Sequence, residues 1–206
     1  MRIGWPRPCG RGAGPVKVPE TSGDPMERNL THIALFAALI AVLGLIPKID
    51  LAGGVPITAQ SLGVMLCGTV LGARRGALAV LLFLVLVAAG LPLLSGGRGG
   101  IGVFATPSVG FLLGFPVAAF VAGWVMERTT LPPGMAAWAA ATIGGIGVLY
   151  AFGIIGIAYM TGVSVREASL GAALAFLPGD AIKTVIAGLV TQNLARMRPT
   201  SLLSRA

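Results

Sequence analysis

Long apolar runs, broken by short polar stretches, fill the chain from residue 30 onward. Six runs are legible, at about 30–46, 57–71, 76–94, 108–126, 135–160 and 168–195. Most reach the roughly 17–25 residues that a helix needs to cross the hydrocarbon core of a bilayer. The pattern predicts an all-α, polytopic membrane protein with six transmembrane helices. The second run is short and follows a Gly- and Pro-rich stretch, so residues 47–56 are expected to fold partly back into the protein. The sixth carries Pro178 and Gly179 mid-span. A break there would free backbone groups, which is tolerated where they face protein or a cavity. Residues 1–25 stand apart, rich in Pro, Gly and Arg and without an apolar run. They read neither as a signal peptide nor as an anchor. Two readings stand: a disordered cytoplasmic tail, or residues upstream of a true start at Met26. The membrane domain is then 26–206.

Composition changes this picture little. The chain is 55% hydrophobic and 11% charged, where a soluble domain carries about 25% charged residues. Its mean hydropathy is +0.89. A soluble globule must still cover itself with polar groups, so lipid is the solvent that fits. The net charge of +8 could suggest nucleic acid, but the basic residues lie between apolar runs. One set of loops holds Arg28, Arg74, Arg75, Arg128, Arg196, Arg198 and Arg205; the other holds Lys48, Arg98 and Arg166. The richer side faces the cytoplasm, which places both termini inside and agrees with an even number of spans.

Ionisable residues inside a span are costly and usually functional. Asp180 and Lys183, in FLPGDAIKTV, are three apart and share a helical face. They either neutralise each other or, beside the opened Pro178–Gly179 turn, form a midplane ligand site. In GGVPITAQSLG (53–63), Thr58 and Gln60 point the same way if the stretch is extended and diverge if it is helical. The Gly-rich stretch 90–111, with Arg98, is either a flexible lid or an ordinary connection. Ala34, Ala37, Ala38, Ala41 and Gly44 make a small-residue stripe, either for internal packing or for docking to another membrane subunit.

Several functions are excluded. Lys183-Thr184 follows Ile182, so there is no phosphate loop. One histidine, His32, and two distant cysteines, Cys9 and Cys67, cannot assemble a zinc site or a Ser-His-Asp hydrolase. A pore would need polar residues repeated along several helices, and here they concentrate at one place. Trp124 and Trp138 read as interfacial anchors.

Three segments together, GGVPITAQSLGVML, LGARRGALAVLLFLVLVAAGLPLLSGG and LPGDAIK, resemble the BioY family. This is the substrate-binding S component of biotin transporters of the energy-coupling-factor (ECF) type. The resemblance covers nearly the whole chain from Met26. It implies a six-helix S-component fold in the bacterial inner membrane and capture of biotin from outside. It also implies partnership with a transmembrane coupling subunit and two cytoplasmic ATPases, which would hydrolyse the ATP. The protein would hold no cofactor of its own, and biotin would be its transported ligand. Asp180 and Lys183 become the polar core of the site, with Ser95, Thr58 and Gln60 to complete the hydrogen bonds, and Tyr150 as a further contact. Ala34, Ala38 and Ala41 become the docking face. The family's Tyr-x-x-Gly-x-x-Trp pattern keeps Tyr150 and Gly153, but Gly156 replaces the Trp, so an aromatic wall is either missing or supplied by Phe152 or Tyr159. Ala175-Phe176 stands where many members have Pro-Phe. An S component or small carrier for another vitamin-sized solute is the alternative.

Overall fold

A computed structural model describes residues 25–47 and 58–205. The N-terminal tail (all but Pro25) and the segment expected to fold back (all but Pro47) lie outside the described residues. Helices are the only regular elements of the described residues, beside one isolated bridge, Leu94 to Arg98. Its helices are α1 (Pro25–Gly44), α2 (Gln60–Leu71), α3 (Ala73–Ala88), α4 (Val109–Arg128), α5 (Pro133–Thr142), α6 (Leu149–Thr161) and α7 (Val165–Met197). A π-helical turn, Ile143–Val148, joins α5 to α6. The six apolar runs therefore each become a helical segment, the fifth being α5, the π-turn and α6 together.

Three of these segments are long and apolar enough to cross a membrane: α1 from Met26, α4, and α5 through α6. The two arms of α7 make a fourth if counted as one span. The 12 residues of α2 and 16 of α3 rise only about 18 and 24 Å. α2 is short but central. Eleven of its residues are buried, so it is the central post of the bundle, apolar all round as a fully enclosed helix must be. By contrast, α1 is peripheral, with 11% of its apolar window buried.

Around this post the helices approach through small residues. A Cβ on Gly68 of α2 would lie 2.5 Å from the Ala119 carbonyl of α4. Gly110 of α4 rests on Gly156 of α6, where a Cβ would come within 2.6 Å of Gly110 backbone. That contact accounts for the missing tryptophan at 156: here only glycine fits.

At the α2–α3 corner, Gly72 takes φ +86°. Lacking a side chain, it cannot cap α3. Glu127 does so instead, its Oε1 accepting the Ala73 N–H at 2.8 Å, where a carboxylate also suits the positive helix end. The C-terminal segment folds onto the same end. The Ser204 hydroxyl donates to the Thr69 carbonyl (2.6 Å), and Arg205 donates to the Leu131 carbonyl (3.0 Å). Arg28, Arg74, Arg75 and Arg128 line clefts there, so much of the basic set counted in sequence does gather at one end of the bundle.

The expected break at Pro178–Gly179 needs correction. The helix runs through both residues, and its 50° bend lies between Ala172 and Ala175. A proline has no N–H for the carbonyl four residues earlier and its ring crowds that carbonyl; for Pro178 that is residue 174. The disturbance thus appears one turn upstream. α7 opens on a capping box, Ser164 accepting from the Glu167 N–H (3.2 Å) while Glu167 accepts from the Ser164 N–H (3.0 Å).

Candidate solute-binding site

α7 carries Asp180 and Lys183 into the bundle beside the start of α2. Asp180 is 5% exposed. Its Oδ1 accepts from Lys183 Nζ at 2.8 Å and from Ser61 Oγ at 3.2 Å; its Oδ2 accepts from the Tyr150 hydroxyl at 2.8 Å. Lys183 Nζ also donates to the Thr58 carbonyl (2.7 Å) and Ser61 Oγ (3.0 Å). Both partners of this ion pair are therefore fully hydrogen-bonded, the condition under which charges persist inside a protein. No buried side-chain polar atom among the described residues lacks a partner.

The pair forms one wall of a cavity of about 70 Å³ that is open at its mouth. Thr58, Gln60 and Ser61 line it from the α2 start, Leu94 and Arg98 from the α3–α4 connection, and Phe111 and Phe115 from α4. Leu149 and Phe176 complete the apolar side. Phe111 meets the Tyr150 and Phe176 rings edge-on, at 6.5 and 5.8 Å between centroids. The aromatic wall is thus Phe111, Phe115 and Phe176. Phe152 and Tyr159, the sequence candidates, are 40% and 85% exposed instead.

Thr58 and Gln60 both reach the cavity, although Gln60 already begins the helix. Thr58 acts through its carbonyl. The Gln60 amide is occupied: Nε2 donates to the Leu93 carbonyl (3.1 Å) and, weakly, to that of Ile40 (3.4 Å), while Oε1 accepts the Ser95 N–H (3.2 Å). It ties α1 and α2 to the loop over the cavity. Ser95 is fully buried behind the lining, its hydroxyl at 3.5 Å from the same Oε1, and Tyr150 likewise stands behind, against Asp180.

The Gly-rich stretch is folded, not a loose connection. Leu94 and Arg98 exchange both backbone hydrogen bonds, 3.0 and 3.2 Å, around Gly96 and Gly97 at φ +79° and +70°. This small hairpin turns Leu94 inward and places Arg98 at the cavity, Nε donating to the Ser95 carbonyl at 3.3 Å. The rest of its guanidinium has no partner among the described residues. On α1 the stripe divides: Ala37 and Gly44 are buried, Ala41 is half-buried, and Ala34 and Ala38 are exposed.

Sequence reasoning missed Ser61, which touches both charges, and the cavity role of Arg98. It also missed the π-turn. One extra residue per turn rotates the rest of the helix by about 100°, and this turn immediately precedes Leu149 and Tyr150.

A largely buried, hydrogen-bonded charge pair in a helical bundle, facing an aromatic cavity beside a small hairpin loop, defines a membrane-embedded solute-binding protein. The chain matches the BioY family over residues 18–200. The biotin transporter BioY of Rhodobacter capsulatus is 54% identical over 189 residues, covering 87% of this chain and all of that one. The biotin transporter BioY of Rhizobium etli is 54% identical over 170 residues, covering 79% and 90%. A crystal structure of the S-component for biotin from an ECF-type ABC transporter superposes with TM-score 0.78 at 30% identity, covering 84% of this chain and 93% of that one. The chain belongs to the BioY family and is a membrane transport protein, not an enzyme.

Proposed function

We propose that this protein is the S component of an ECF-type transporter, capturing biotin at the outer face of the bacterial cytoplasmic membrane. Relatives of that name and the matching S-component structure support the reading. In it the chain crosses six times with both termini inside. A coupling subunit docks on the exposed Ala34 and Ala38 face of α1, with Ala41 at its edge, and two ATPases hydrolyse the ATP. A reporter fused after Ala206 that is active only outside the cell would sink the topology.

The observation that carries the reading is the hydrogen-bond set around Asp180 and Lys183, placed against an aromatic wall. Biotin's ureido group has two N–H donors and one carbonyl acceptor. Asp180 accepts from an N–H, and Lys183 donates to the carbonyl. The sulfur-containing ring and aliphatic chain lie on Phe111, Phe115 and Phe176. The carboxylate meets Arg98, whose planar fork suits it. Because Asp180 and Lys183 already bond each other and Ser61, biotin enters by exchanging partners. An unexchanged polar group would cost about 1–3 kcal/mol.

Isothermal titration of the purified protein with biotin and with other vitamins tests this directly. One biotin per chain is expected, with no heat from the others. Binding of a different vitamin and not biotin would overturn it.

A further inference from the structure

At the basic end of the bundle, far along α4 from the biotin cavity, lies an open cleft of about 500 Å³ between α3, α4 and the C-terminal segment. Its charged lining is Arg74, Arg75 and Arg128 against one carboxylate, Glu127. Glu127 is already engaged, capping α3 through the Ala73 N–H. No ion pair joins any of the three arginines among the described residues. Arg128 is held with its guanidinium 5.0 Å from the centroid of the Trp124 ring, a cation–π contact. Ala73, at the positive N-terminal end of α3, lines the same space.

We propose that this cleft binds the headgroup phosphate of an anionic phospholipid. A free phosphate would need only the arginines. What selects a lipid is the surface next to them. Leu113, Val117, Phe120 and Trp124 are 56, 38, 43 and 45% exposed. Their spacing of four, three and four residues puts them on one face of α4. Phe120 and Trp124 also line the cleft, so the apolar stripe runs out of the cleft along the helix. It extends about 16 Å at 1.5 Å per residue, a path for an acyl chain whose phosphate sits among the arginines. Trp124 at the junction is the ring type found at headgroup depth. Basic pockets between helices on the cytoplasmic side take anionic headgroups in this way.

The test uses the full chain in detergent, titrated with phosphatidylglycerol, phosphatidylcholine or inorganic phosphate, reading the thermal-unfolding midpoint and, by native mass spectrometry, the lipid retained. Phosphatidylglycerol is expected to raise the midpoint saturably and to leave one retained lipid, while phosphatidylcholine and inorganic phosphate do neither. The variant Arg74→Gln with Arg128→Gln should weaken the phosphatidylglycerol effect by about tenfold or more and leave biotin affinity unchanged. Should that variant fail to fold, Arg74→Gln alone, at an exposed position, is read the same way. Equal effects of the two lipids, an equal effect of inorganic phosphate, or an undiminished response in the folded variant would each overturn the proposal.

Discussion

Replacing Lys183 by Met tests the site most sharply, because the structure separates its two consequences. The substitution removes three donor contacts, to Asp180, Ser61 and the Thr58 carbonyl. Asp180, 5% exposed, keeps Ser61 and Tyr150 but has no counter-ion. Breaking a buried pair from one side costs about 3–5 kcal/mol. The Lys183 side chain retains 15% exposure, so the lower end, about 3 kcal/mol, is expected. Asp180→Asn keeps shape and the acceptor facing Lys183 and Ser61, while the Tyr150 hydroxyl must turn to accept from the new amide; it should cost less. The double variant, Asp180→Asn with Lys183→Met, carries no unpaired charge, and its stability should recover by about 2 kcal/mol relative to the sum of the singles. Affinity should not recover. Each lost charge-assisted bond is worth roughly 1.5–3 kcal/mol, or about 10- to 150-fold in Kd, and the double loses both. Thermal unfolding and biotin titration on the three variants give the cycle. A stable double variant that binds biotin as tightly as the parent would make the pair structural only and refute the assignment.

Gln60→Leu should leave the Leu93 carbonyl and Ser95 N–H unpaired and loosen the hairpin. Hydrogen exchange at residues 93–100 is expected to rise and biotin to dissociate about tenfold faster; unchanged exchange would mean the loop is held otherwise. Arg98→Gln should weaken biotin by at least about tenfold and spare its methyl ester, and an equal loss for both would place the carboxylate elsewhere. Ala34→Trp and Ala38→Trp should abolish uptake in cells with biotin affinity intact, whereas lost affinity would show that this face packs within the chain.

The apolar runs made the helical segments legible, because period and length survive in any apolar solvent. The Asp180–Lys183 pair was legible for the opposite reason: charges are rare inside spans, so two at helical spacing stand out. Ser61 was not, since a serine in a first helical turn reads as an ordinary helix start. Only the fold brings residues 61 and 180 together. Gln60 lines the cavity as the sequence suggests, but only the fold shows that its amide also ties backbone of α1 to the hairpin. The position of the α7 bend was available in principle from Pro178, counted back one turn. The π-turn left only the Gly144-Gly145 pair as a trace, among 31 glycines.

Lys183's three engaged donors also bear on the heat of binding. If biotin replaces partners instead of meeting bare charges, hydrogen bonds broken and formed nearly balance, and they contribute little net enthalpy. What changes is the apolar area removed from water against Phe111, Phe115 and Phe176. The signature is then a negative heat-capacity change. Biotin capture by this protein should grow more exothermic as the temperature rises, while its free energy stays nearly level.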